Sequence, residues 1–202
     1  EFFQSYHQTY DRDDPFFYAE LGFFTDRVEF PVLLENGNVW MSVVVSEIES
    51  MADAIAEAHG KVITYGLGLG YYAFMAAEKD NVESVTVIEK NPDVIRLFTE
   101  SILPFFPHKE KIQIIEADAL EFVKAQEDGC YDYAFSDFWG GYYDGVDLYM
   151  QFMPLTARFG RTKHSYWIES CFMEYFFRPV FMRLLMEKGL GQRVKLPERS
   201  RE

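Results

Sequence analysis

Cysteine is scarce in this chain. Cys130 and Cys171 are the two among 202 residues, and they form neither a metal-spaced pair nor a disulfide framework. That excludes a small disulfide-stapled scaffold and a cysteine-held zinc site, so no metal is expected. A reducing compartment, the cytoplasm, is the expected location. Basic residues are also few: 19 Lys and Arg stand against 33 Asp and Glu, for a net charge of -14. Nucleic-acid binders carry basic patches that displace the counterions of phosphate. No Lys/Arg cluster occurs here before the last ten residues, so no nucleic acid is expected as a partner. Long apolar runs are missing too. The most apolar stretch, residues 172–186, is broken by Glu174, Arg178, Pro179 and Arg183, too short and too charged to span a bilayer. No membrane partner is expected, and no signal peptide is legible.

What is present is globular. Hydrophobic residues make up 49% and charged residues 26%, as in a folded domain with one core and room for a small appendage. Aromatics reach 18%, enough to line a pocket as well as fill a core. Residues 1–45 read as an accessory segment. Within it, 28–34 and 39–45 are expected strands joined at Asn36-Gly37, two residues that accept positive φ and so favour a hairpin. Pro31 confines the first strand to an edge.

Residues 46–202 read as the main domain. Ser46 and Glu49 match a capping box opening a helix with Ile48, Met51, Ala52 and Ile55 inward, ended by Gly60. Strands then alternate with helices. The strands are 61–65, 84–89, 111–117, 131–136 and 164–169. The helices include 71–79, one capped by Asn91 with Pro92 at its first position, 119–126, 147–155, and 172–188 bent at Pro179. On the helix after Asn91, the inner face is Val94, Ile95, Phe98 and Ile102. This order predicts an α/β fold: a parallel sheet with helices on both faces, plus the N-terminal hairpin. Residues 189–202 are too few for a further antiparallel hairpin.

The chemistry centres on the first core strand, Val62 to Tyr65, which runs into Gly66, Gly68 and Gly70. Alternating glycines permit positive φ and close approach of a ligand to backbone, and the next helix offers free N–H groups. The dinucleotide pattern G-x-G-x-x-G needs a glycine where Tyr71 stands. The G-x-G-x-G form present here resembles that of class I S-adenosylmethionine (SAM)-dependent methyltransferases, a Rossmann-like family. The resemblance covers roughly residues 46–170. It implies SAM as cofactor, held by Tyr65, Gly66, Gly68, Gly70, Glu89, Lys90, Asp118, Ala119 and Asp137.

Within that resemblance, Glu89 ends the second strand and accepts the ribose hydroxyls. As a strand-end carboxylate that fills no core space, it is expected to matter little to folding. Asp118, after the third strand, contacts the adenine amino group, although Asp118 and Glu121 also read as a helix cap. Asp137, after the fourth strand, is the expected catalytic group, orienting or deprotonating the acceptor. Trp139 and Tyr142 are the expected substrate-pocket residues, with core packing as the alternative for Trp139. His164 stands second to Asp137 as a base.

The expected function is methyl transfer to a small-molecule amine or hydroxyl, with a homodimer left open. One departure keeps two alternatives. The acidic residue that such methyltransferases carry two positions before the first glycine is Thr64 here. Spermidine synthases, which bind decarboxylated SAM, share that departure. Their second aspartate after the fourth strand is Gly140 here, and the aspartate of their glycine turn is Leu69, so aminopropyl transfer is the weaker match. A non-catalytic adenosyl-binding module is the other alternative.

Overall fold

The structure, a computed structural model, describes residues 28–140 and 142–172, together with 7–9, 20–22, 180, 183 and 184. Two short strands, β1 (His7–Thr9) and β2 (Glu20–Gly22), pair antiparallel. Strands β3 (Val32–Glu35) and β4 (Asn38–Ser42) form the hairpin expected at Asn36-Gly37. Asn36 has φ 52° and Gly37 φ 81°, the two left-handed positions that a tight hairpin turn demands.

The helix read from a capping box is built differently. Helix α1 (Val45–Ser50) starts two residues earlier, with Val44 rather than Ser46 at the cap, and has no side-chain cap. The chain then turns at Met51, and α2 (Ala52–Glu57) continues. With this break the inward set changes: Met51 and Ala54 are buried, whereas Ala52 is exposed. Gly60, at φ 61°, opens the next strand rather than capping a helix. A Cβ there would lie 2.2 Å from the Asp132 carboxylate, which accepts from the Lys61 N–H at 2.7 Å.

The core is a five-stranded, all-parallel sheet. Its strands are β5 (Gly60–Tyr65), β6 (Val82–Glu89), β7 (Ile112–Glu116), β8 (Tyr133–Ser136) and β9 (Lys163–Tyr166). The order across the sheet is β7-β6-β5-β8-β9. This is the Rossmann-like α/β arrangement: the chain winds outward from β5 in one direction, then returns to its other side. Ligand sites form where the winding reverses, outside the carboxyl ends of the strands. The reversal here falls between β5 and β8.

Strand alternation divides the core. Val62, Val85, Val87, Tyr133 and Phe135 face one layer, with α2, α3 (Tyr71–Ala77) and α4 (Pro92–Ser101). Ala73, Ala76 and Ala77 let α3 lie close to the sheet. Ile63, Tyr65, Ile88 and Ala134 face the other, with α5 (Ala119–Ala125), α6 (Tyr142–Thr156) and α7 (Trp167–Phe172). Asn91 caps α4 by accepting from the Asp93 N–H at 3.0 Å, with Pro92 in its first turn. Asp118 caps α5 through the Leu120 and Glu121 N–H groups, while Glu121 reaches Lys124 instead of completing a box. The fifth strand stops at Tyr166, and residues 167–169, expected as strand, open α7. Most of the expected helix 172–188, and residues 189–202, lie outside the described residues. Among the described residues no helix is long and apolar enough to cross a membrane.

Gly70 ends the turn at φ 78°, where a Cβ would lie 2.1 Å from the Phe98 ring. Gly37 has a similar φ but open space around it. Gly37→Ala should therefore lose only the left-handed penalty, about 1–2 kcal/mol. Gly70→Ala should lose that plus about 1–3 kcal/mol for overpacking the buried Phe98. Urea denaturation checks this; equal losses at the two sites would refute the packing role of Gly70.

Candidate active site

One cavity of about 190 Å³ opens at the carboxyl ends of the parallel strands. Each strand feeds it from its terminal turn. From β5 come Thr64, Gly66, Leu67 and Gly68; from β6, Glu89 and Lys90; from β7, Ala117, Asp118 and Ala119; from β8, Asp137 and Trp139. Most of the residues expected to bind a cofactor thus meet in one place. Two do not line it. Tyr65 points into the opposite layer, where its hydroxyl donates to Gln126 Oε1 at 2.7 Å and its ring meets Phe152 edge-on. Gly70 is packed under Phe98. Tyr142 begins α6, and its side chain lies outside the described residues.

The three glycines do three separate jobs. Gly66 (φ 101°) passes so close to the next loop that a Cβ would sit 2.0 Å from the Asp137 carbonyl oxygen. Gly70 makes room for Phe98. Gly68 (φ 52°) is the one that forms a cradle facing the cavity, and Met41 of the hairpin occupies it: a Cβ on Gly68 would lie 2.1 Å from the Met41 sulfur. That sulfur accepts from the Leu69 N–H at 3.0 Å. Sequence reasoning treated residues 1–45 as an accessory and missed that Trp40 and Met41 line the site. Nothing in hairpin periodicity distinguishes a methionine on a free surface from one seated on a distant glycine.

Glu89 is half-buried and has two structural partners. Oε2 accepts from the Leu67 N–H at 3.1 Å and Oε1 from the Asn91 N–H at 2.8 Å. The expectation that Glu89 matters little to folding is therefore corrected: it ties the glycine turn to the start of α4. Each oxygen keeps a second lone pair for a hydroxyl donor. Asp118 uses Oδ1 for both cap bonds. Its Oδ2 has no partner among the described residues, which leaves it open to an amino group. Trp139 is buried at 7% exposure. It stacks near Phe138 and donates to the Ser136 carbonyl at 3.3 Å, so only its edge serves the cavity.

Asp137 is the most perturbed acid of the site. Burial, then the nearby charge of Glu47, push it up to about 7. Glu47 itself is raised by burial. It was read as part of a helix start and missed as a site residue. Neither carboxylate has a hydrogen-bond or ion-pair partner among the described residues. His164 does not reach the cavity. It is stacked between Phe159 and Tyr166 with both ring nitrogens buried and unpartnered among the described residues, and burial lowers its pKa. It is a half-buried packing residue outside the cavity.

No family model matches the sequence, and no curated protein matches it. Solved structures do resemble it. Spermidine synthase from Thermotoga maritima matches at 17% identity and TM-score 0.43, over 53% of this chain and 39% of that one. Precorrin 8W decarboxylase from Methanobacterium thermoautotrophicum matches at 20% and 0.46, over 72% of this chain and 73% of that one. The SAH-bound methyltransferase PaMTH1 of Podospora anserina matches at 21% and 0.47, over 61% and 50%. This chain therefore spans about half or less of the spermidine synthase and of PaMTH1. All three likenesses are distant.

Replacing Glu89 by Ala should act twice. Two part-buried N–H groups lose their acceptor, lowering stability by about 1–3 kcal/mol. A ribose held by Glu89 would lose two charge-assisted acceptors as well, which would weaken SAM binding about 30- to 150-fold. Denaturation and calorimetry on the same protein check both. Glu121→Ala is the control, since Glu121 is exposed and, among the described residues, its side chain pairs with Lys124. Unchanged SAM affinity in Glu89→Ala would remove the ribose role and leave the structural one.

Proposed function

We propose that this chain is a SAM-dependent methyltransferase acting on a small-molecule acceptor. The observation that carries the reading is the convergence in one cavity of Gly68, Glu89, Asp118 and Asp137, each at the end of a different parallel strand or its turn. An adenosyl cofactor presents the functional groups these residues lack. Glu89 would accept the ribose hydroxyls. Asp118 Oδ2 would accept the adenine amino group, with Ala117, Ala119 and Leu120 offering apolar contact to the ring. The Gly68 turn fits the rest of the ligand once the Met41 thioether yields the Leu69 N–H.

When bound, SAM supplies a methyl group already activated on a sulfonium. The protein then needs to align the acceptor and exclude water, and to remove a proton if the acceptor carries one. Asp137 suits that task. A base works best when its pKa lies near the working pH, and burial with the Glu47 charge brings Asp137 to about 7. Trp139 and Phe138 wall the same end.

Calorimetry with SAM, S-adenosylhomocysteine and decarboxylated SAM tests the cofactor reading. Preference for SAM and S-adenosylhomocysteine supports methyl transfer. Preference for decarboxylated SAM transfers the reading to aminopropyl chemistry, and no binding of any of the three ends it.

The raised pKa of Asp137 also has a stability signature. The folded chain holds this proton up to about pH 7, whereas the unfolded chain releases it near about pH 4. Between those limits the native state binds more protons, so the Asp137 contribution to stability falls as pH rises. Asp137→Asn removes that loss. It should stabilise the fold little at acid pH and by about 1–3 kcal/mol above pH 7, the range for one poorly solvated polar group. Turnover should instead drop by about 100-fold or more. Thermal melts across pH, with turnover alongside, check this; a constant stability difference at all pH values would refute the raised pKa.

A further inference from the structure

Met41 reaches the cavity through an irregularity in the hairpin. Successive residues of a strand point to opposite faces, yet Trp40 and Met41 both line the cavity. The pairing explains this. Leu33 faces Met41 and Leu34 faces Val39, so the register slips between them and Trp40 is the extra residue of a bulge. Bulges re-aim side chains and are frequent beside active sites. This one is held in place: Leu33 is buried, and the Val43 N–H donates to the Pro31 carbonyl at 3.0 Å across the base of the hairpin.

The seat that Met41 takes is specific. Its sulfur fills the space that a Gly68 Cβ would need, and it accepts from the Leu69 N–H at 3.0 Å. Other N–H groups of the turn are committed to oxygen. Gly66 donates to the Ile88 carbonyl, Leu67 to Glu89 Oε2 and Gly70 to the Leu67 carbonyl. The Leu69 N–H is the one held by a thioether, a weak acceptor. A carboxylate would bind it through a stronger, charge-assisted bond. A methionine side chain is unbranched with three rotatable bonds, so it can swing out of the cradle without moving the backbone.

We propose that Met41 is a built-in competitor for the cofactor's amino-acid half: it fills the Gly68 cradle, and a ligand must carry a carboxylate to displace it from the Leu69 N–H. This rests on the adenosyl-cofactor reading. Met41 is thus a specificity residue, and the hairpin sets which adenosyl compounds bind well. The nucleoside half is outside its reach, because the hydrogen bonds that fix Glu89 and Asp118 run to Leu67, Asn91, Leu120 and Glu121 and not to the hairpin. A ligand without a carboxylate gives the Leu69 N–H no better acceptor, so the sulfur stays. A seat filled about nine-tenths of the time lowers the apparent affinity of a competing ligand about tenfold.

The test uses the full chain and its Met41→Ala variant, titrated by calorimetry with S-adenosylhomocysteine, which has the carboxylate, and 5′-methylthioadenosine, which lacks the amino-acid half. Met41→Ala should bind S-adenosylhomocysteine about tenfold more tightly and 5′-methylthioadenosine within about twofold of wild type. Exchange of the Leu69 amide hydrogen, followed by NMR without ligand, should be a few-fold faster in the variant, because its cover is gone. Unchanged or weaker binding of S-adenosylhomocysteine makes Met41 an ordinary wall of the site and overturns the proposal. So does equal tightening of both nucleosides, which removes the carboxylate selectivity, or loss of both, which makes Met41 part of the fold of the site. Binding of neither nucleoside to either protein sinks the cofactor reading instead. The Leu69 amide then decides the seat by itself: equal exchange in the two proteins overturns it, and slower exchange in wild type upholds it.

Discussion

The turn after β5 touches the loop after β8 backbone to backbone, and the site depends on that contact. The Asp137 N–H donates to the Tyr65 carbonyl at 2.8 Å, and the Gly66 N–H donates to the Ile88 carbonyl at 2.9 Å. With a 2.0 Å separation between a would-be Gly66 Cβ and the Asp137 carbonyl oxygen, no other residue fits without moving one loop. The turn is thereby fastened to β6 on one side and to the β8 loop on the other. Glu89, Gly68 and Asp137 take their relative positions from these bonds. A glycine in such a turn is usually credited to ligand approach. Here Gly70 serves packing, Gly66 serves the contact with the β8 loop while also lining the cavity, and Gly68 forms the cradle that Met41 fills.

What could be read from the sequence, and what could not, follows from the range of the interactions. The alternation of strands and helices, the Asn36-Gly37 turn, and the caps at Asn91 and Asp118 are local, and local chemistry determines them. The ends of β5, β6 and β8 were legible because each strand stops at or just before a charged or glycine residue, whereas β7 stops at Glu116, one residue before the expected end. The double helix start at Val45–Ser50 and Ala52–Glu57 was not. The Ser46/Glu49 pattern is a genuine local signal, but the helix starts two residues early, within the three consecutive valines before it, and Glu47 lines the cavity. The fifth strand ended early for a similar reason: Trp167 and Ile168 are apolar enough to extend a strand, yet they pack as the first turn of α7. Met41 on Gly68 is a contact across 27 residues, and no pattern in the hairpin encodes it.

The site carries energetic costs that a purely structural design would avoid. Glu47 and Asp137, both half-buried and close enough to raise the Asp137 pKa together with burial, have no hydrogen-bond or ion-pair partner among the described residues, and the buried Tyr72 hydroxyl has none either, although buried polar groups in folded proteins are nearly always bonded. Several charged side chains, by contrast, are well satisfied. Lys79 Nζ donates to the Ile55 and Ala56 carbonyls, Lys111 Nζ to those of Ala77 and Lys79, and Arg158 to three carbonyls at the end of α5. Helix ends are neutralised carefully, while unmet buried polar atoms occur both beside the cavity, at Tyr72, and away from it, at Gln126 and His164.

Met41 adds a constraint of another kind. A thioether is a weak acceptor, so the Leu69 N–H is covered but poorly satisfied, and a carboxylate or other strong acceptor would compete for it favourably. The hairpin that delivers Met41 carries Val32, Leu34, Val39 and Trp40 at roughly half exposure or more, and it meets the glycine turn through one soft side chain. The turn itself, by contrast, is fastened by backbone bonds to β6 and β8. Rigidity on one wall and an exchangeable side chain on the other let a ligand enter without unpairing any strand. Displacement of Met41 would free the Leu69 N–H for a stronger acceptor while leaving every strand of the sheet paired.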